Sequence, residues 1–245
     1  MAFSACTKTI QNTLNWALAF ILTRPPTGVA GIPNEPALTI ANLVASTIIS
    51  PPFAWQWNRA TTSINLTTGT TDYPVALSTF GWLEKATVAY VATPPTGVSS
   101  LKEIEISNFL SVDATQGTPF KICISNDDNA GNITFRVMPA PDQAYTLNLT
   151  YQLAPPVISA LTNTWAPIPD KYNFLYERGV LAHLHGMYDS ATYLQELQLF
   201  FRQLVGCSEG LDDTAKAIFL LDRLEQLKTQ AFAQNATSGT LKRGM

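Results

Sequence analysis

The stretch Ala144-Tyr145-Thr146-Leu147-Asn148-Leu149-Thr150-Tyr151 decides the fold. Tyr145, Leu147, Leu149 and Tyr151 alternate with small polar residues, so one face is apolar and the other polar. That is the period of a half-buried β-strand. Toward the N-terminus further runs read as strands: Thr61–Leu66, Leu83–Val91, Lys102–Ile106, Phe120–Ser125 and Asn132–Val137. Turn residues interrupt them about every 8 to 12 residues. Thr68-Gly69, Pro94-Pro95-Thr96-Gly97, Asp128-Asn129-Ala130-Gly131-Asn132 and Pro139-Ala140-Pro141-Asp142 mark the turns. Short strands with no helix between them predict an antiparallel barrel or sandwich.

Both chain ends have helical spacing instead. Ile10, Leu14, Ala17, Leu18 and Ile21 place a helix from about Thr7 to Leu22, stopped by Arg24-Pro25-Pro26. Asn34 can cap a second helix, with Pro36 in its first turn and Leu38, Ala41, Leu43, Ala45 and Ile48 along it. After Pro167-Ile168-Pro169, Asp170 is a plausible cap for a third. Its stripe is Tyr172, Leu175, Tyr176, Gly179, Val180, His183, Leu184 and Met187. Two more helices follow, over about Ala191–Val205 and Leu211–Phe232. The fold class is α+β: a helical bundle from both ends with an inserted β-block. The expected divisions are 1–54 (helices), 55–166 (β-block), 167–232 (helices) and 233–245, a small, polar tail without a core pattern.

Composition narrows the function. Charged residues are 13% of 245, about half the usual share, and Thr, Ser, Asn and Gln take their place. A polar but uncharged surface suits a subunit covered by neighbours. Net charge is −3, with no basic run longer than Lys242-Arg243, so a tight nucleic-acid grip through many phosphate contacts is not offered. Cys6, Cys123 and Cys207 lack metal-site spacing and read as free thiols. No segment reaches 18 apolar residues, so no membrane span is expected, and Leu14–Leu22 reads as a helix rather than a signal peptide.

Candidate chemistry is sparse. His183 and His185 are two apart on a helix and point about 200° apart, so they cannot share a metal. Asp127-Asp128-Asn129-Ala130-Gly131-Asn132 lacks the terminal Glu of a calcium loop and reads as a hairpin turn. Glu103 and Glu105 share a strand face, and a solvated edge explains them. Trp55, Trp57 and Trp82 could stack on a sugar or base, although aromatics at such a joint are more often core. No nucleophile-elbow or phosphate-cradling glycine motif occurs. No catalytic residue, metal or cofactor is expected.

Several markers stand in order along nearly the whole chain. Trp55-Gln56-Trp57-Asn58-Arg59 ends the first helix pair, and the turn Gly69-Thr70-Thr71-Asp72-Tyr73-Pro74 follows. Leu101-Lys102-Glu103-Ile104 leads to Gly117-Thr118-Pro119. Then come Met138-Pro139-Ala140-Pro141-Asp142-Gln143-Ala144-Tyr145, Leu149-Thr150-Tyr151 with Pro155-Pro156, and Ile168-Pro169-Asp170-Lys171-Tyr172. In this set the chain resembles the head-to-tail adaptor proteins of tailed bacteriophages, the neck-ring family that includes the tail tubular protein A type.

The resemblance implies a ring, usually of twelve subunits, docked beneath the portal protein. It implies passage of double-stranded DNA through the lumen without specific binding, and a platform for the downstream tail or nozzle protein. Location is then the virion neck, after synthesis in the host cytoplasm. The helices would form the ring wall and the β-domain would face outward or down. A C-terminal segment of such adaptors commonly reaches the portal, which points to Thr237, Ser238, Gly239, Thr240, Leu241, Lys242 and Arg243. Lumen-facing acids are sought among Glu209, Asp212, Asp213, Asp222 and Glu225, with the solvated face of an ordinary helix as the plain alternative. The loop Pro25 to Pro33 departs from the pattern. A tail or baseplate β-module binding a receptor or glycan is the alternative function. A hydrolase using Glu103, Glu105 or Asp113 is a third, without the context that a carboxylate pair needs.

Overall fold

A computed structural model describes residues 6–21, 34–90, 97–109, 115–187, 192–208, 211–212, 214–223 and 225–226. The Pro25–Pro33 loop, Asp113, Glu209, Asp213 and the tail from 227 onward lie outside them. The chain divides into two compact units. One is Asn58–Ala154, and the other joins Met1–Trp57 to Pro155–Met245.

The β-unit has nine strands among the described residues: β1 Arg59–Leu66, β2 Asp72–Ala76, β3 Phe80–Tyr90, β4 Val98–Glu103, β5 Gln116–Gly117, β6 Lys121–Asp127, β7 Asn132–Met138, β8 Ala140–Pro141 and β9 Tyr145–Leu153. Seven form one nearly closed, barrel-like sheet in the order β1-β9-β3-β4-β6-β7-β2. The decisive stretch becomes β9, paired antiparallel with β1 on one side and β3 on the other. Tyr145, Leu147, Leu149 and Tyr151 are all buried, as the alternation requires. Tyr145, Leu147 and Leu149 pack with Val88, Leu101, Ile122, Phe135 and Val137 on the inner face. Fully burying each such side chain contributes about 1.5–3 kcal/mol.

Three details depart from the sequence reading. The sheet is not wholly antiparallel, because β4 and β6 pair in parallel through Lys102↔Lys121 and Glu103↔Ile122. A parallel pair needs a crossover, and the chain between them carries a short 3-10 turn at Ile106–Phe109. The strand expected through Ile106 therefore ends at Glu103. The stretch expected to be a turn through Pro74 turns only as far as Thr71, and Asp72–Ala76 is an edge strand on β7. An edge tolerates Pro74 because no second partner needs its missing N–H. Between β6 and β7 the hairpin reading of 127–132 is what the structure shows. Asp128 Oδ1 accepts from Ala130 N at 2.8 Å and Asn132 N at 2.9 Å, and Gly131 takes φ 97°.

The helical unit holds α1 Ile10–Ile21, α2 Asn34–Ile49, α3 Asn173–Met187 and α4 Tyr193–Cys207. A last helical segment, α5, covers 214–223, with 225–226 also helical. α3 packs against α1, α2 and α4. It buries Leu175, Tyr176, Val180, Leu181, Ala182 and Leu184, more than one stripe, as a central helix must. Segment 155–166, grouped with the β-block in sequence, belongs to this unit. Trp165 stacks on Tyr176 with ring centroids 4.6 Å apart, and its Nε1 donates to Thr13 Oγ1 at 2.8 Å. Ile158 N donates to Asn42 Oδ1 at 2.8 Å while Asn42 Nδ2 donates back to Ile158 O at 2.9 Å.

Asp170 is not the cap it was expected to be. A 3-10 turn, Asp170–Tyr172, precedes α3, and no side chain caps it. The Asp170 carboxylate instead accepts from Thr7 Oγ1 at 2.7 Å and Thr7 N at 3.0 Å. These hydrogen bonds, side chain first, hold its carboxyl below the usual range. With the Lys8–Glu177 ion pair they strap the start of the described chain to α3.

Candidate functional site

Of the five acids considered for a lumen, three fall among the described residues. Asp212 has a local task. Its Oδ1 accepts from Ala215 N at 2.7 Å and its carbonyl accepts from Lys216 N at 2.9 Å, so it caps α5. Asp222 and Glu225 are exposed. Glu209, Asp213 and the tail residues Thr237 to Arg243 lie outside the described residues.

The helical unit also contains a cavity of about 380 Å³ lined by Leu43, Thr47, His183, Leu197, Phe200, Phe201, Arg223 and Gln226. Leu197 and Phe200 are fully packed, while Leu43 is 48% exposed. Burial pushes the His183 imidazole below its ordinary pKa, so it is neutral at pH 7. The Arg223 guanidinium lies 5.6 Å from the ring centroids of both Phe201 and Phe219 and donates to Gln226 Oε1 at 2.9 Å. Sequence reading missed this site. Its only linear signal is Phe219 four residues before Arg223, the spacing that puts both on one helix face.

The other chemical candidates are dispersed. His185 Nδ1 is 3.1 Å from Thr192 Oγ1. Trp55 is buried and stacked on Trp57 at 5.5 Å, with Tyr172 edge-on at 5.4 Å, so both tryptophans serve the helical core. Trp82 is half-buried in β3. Glu103 and Glu105 are exposed. Among the described residues, no group of three or more His, Cys, Asp or Glu could hold a metal, and no helix is long and apolar enough to cross a membrane. Cys6, Cys123 and Cys207 are free thiols.

A family model described as SU10 adaptor protein matches residues 11–218, a span that takes in the whole β-unit and helices from both chain ends. That class is the phage adaptor, a structural role that implies no catalysis. The chain belongs to the SU10 adaptor protein family. Membership implies association with portal and tail components and a place at the virion neck. No curated protein matches the chain.

Proposed function

We propose that this adaptor forms a dodecameric ring beneath the portal, passes double-stranded DNA through its lumen, and offers its far side to the next tail component. The observation that carries the reading is the family match across both units. Low charge over the whole chain supports it, because surfaces that meet neighbouring subunits are depleted in charged residues at their cores. We assign the helical unit to the ring wall and the β-unit to the outer or lower face. Residues Thr237 to Arg243 are the portal-docking segment. Their Thr, Ser and Gly residues offer no core pattern, and Lys242 and Arg243 can meet acidic groups on a partner.

Electron microscopy of the purified full chain mixed with its portal tests this. Rings on the portal with twelvefold symmetry are the expected result. Failure to bind the portal, or binding as scattered single copies, overturns the ring. A closed ring of another symmetry overturns the dodecamer alone. In the same mixture, a chain ending at residue 236 should dock more weakly while its free subunit melts unchanged. Undiminished docking would remove the tail from the portal contact.

A further inference from the structure

Two exposed features of the chain complement each other. The first is the cavity of the helical unit. Arg223 sits beside a hollow of about 380 Å³ of mixed lining, with Leu43 and Phe201 beside Thr47 and His183, large enough for a small guest group. Its hydrogen-bond partner among the described residues is Gln226, and no carboxylate there pairs with it. A guanidinium over aromatic rings, next to the exposed Leu43 side chain, suits an aliphatic side chain with an adjacent carboxylate. Arginine and aromatics are also the residue types that dominate binding energy at protein interfaces.

The second feature is the loop that leaves β4. Ile106 is 47% exposed, and Glu103, Glu105 and Ser107 around it are exposed as well. Glu105 accepts a long 3.4 Å bond from Ser107 Oγ, and neither acid is paired with a cation among the described residues. Three other exposed apolar groups fit the cavity less well. Phe120 carries the Lys121 ammonium 5.4 Å from its ring centroid, which would meet Arg223 with like charge. Val157 lies between Pro156 and Ile158 with no neighbouring acid. Leu221 and Asp222 sit on α5 itself, beside Arg223, so they would pair the same patch on two copies and close as a twofold dimer.

We infer that Ile106 of one copy seats against Leu43, Thr47 and Phe201 at the mouth of this cavity in the next copy, with Glu105 paired to Arg223. The contact is heterologous, so each copy presents one knob and one hollow. Such contacts propagate until the rotation closes a ring. The inference deepens the proposed ring and rests on it.

The test uses the full chain assembled on its portal, with bound copies counted by native mass measurement. Arg223→Glu and Glu105→Arg each place like charges together and should weaken ring formation at least about tenfold, a step of about 1.4 kcal/mol. The double variant, with both charges exchanged, should restore it. Ile106→Asp should also lose the ring. Because Glu105 and Ile106 are exposed, their variants should melt like the wild type when free, which separates a lost contact from misfolding. Wild-type ring levels in Ile106→Asp, or a double variant no better than the singles, overturn the contact and leave the ring standing. A wild-type chain that forms no ring overturns both.

Discussion

Asp72 and Arg136 face one another across β2 and β7, where Arg136 Nε lies 2.7 Å from Asp72 Oδ1 and a second nitrogen 2.8 Å from Oδ2. This fork is bidentate, the geometry in which an ion pair is worth most. The hydrogen bonds from Arg136 hold the Asp72 carboxyl below its usual pKa, against a smaller penalty from burial. A carboxyl depressed in the folded state stabilises above its unfolded pKa of about 3.9, and that contribution fades as pH falls through the lower folded value. Over a third of each side chain is exposed, so water and salt discount the pair to about 1 kcal/mol or less. Asp72→Asn should therefore lower the melting temperature at pH 7 and cost progressively less as pH drops below about 4. An equal cost at neutral pH and well below the carboxylate range would show that the charge is irrelevant. Residues of this kind were the least legible in the sequence. Asp72 lay in a run of turn formers ending in Pro74, and only its place at a sheet edge lets that run become a strand. Asp170 had the chemistry of a cap, but its partner Thr7 lies 163 positions away, a distance that no local pattern encodes.

The contact between α2 and α3 depends on the absence of a side chain at Gly179. A Cβ there would lie 2.7 Å from Val44 Cγ1 and 3.1 Å from Phe200 Cε2. Packed interiors cannot absorb such an overlap without moving a helix or forcing a rotamer. Gly179→Ala should destabilise by about 1–3 kcal/mol in urea denaturation, despite alanine's better helix propensity. Val44→Ala removes the group in the way, so the double variant should cost less than the sum of the two singles. Simple additivity would mean that the backbone relaxes and that the close approach carries no weight. The stripes of α1 and α3 were plain in sequence, because helical periodicity survives whatever the helix packs against. Strand existence was equally plain in β9, β3 and β7. Pairing direction was not, since alternation looks the same in parallel and antiparallel strands, and so β4–β6 came as a correction. Segment 155–166 misled for a related reason. It has neither period, and it joins the helical unit through isolated anchors, Ile158 and Trp165.

The order of motifs along the chain carried the adaptor family, and one family match spans both units, whereas the cavity at Arg223 left only the Phe219–Arg223 spacing in the sequence. Its walls come from α2, α3, α4 and α5 and meet only in three dimensions. The lumen of the proposed ring belongs to the same scale. DNA carries dense negative charge, and each Lys or Arg that meets a phosphate releases counterions and adds grip. A conduit that must pass a genome quickly works better with a neutral or acidic wall, and a net charge of −3 is compatible with that. Repulsion across the gap stays mild, because charges more than about 10 Å apart are largely screened at ordinary salt. Asp212 is a poor reporter of this idea. Replacing it removes the cap of α5 and would cost about 1 kcal/mol for reasons unrelated to DNA. Asp222 and Glu225 are exposed and serve better. If they line the lumen, particles carrying Asp222→Lys and Glu225→Lys together should assemble at normal yield but eject DNA more slowly. The delay should shrink as salt is raised, since added ions weaken the new phosphate contacts. Ejection at the normal rate, in particles shown to contain the variant ring, would place these acids on an ordinary solvated face.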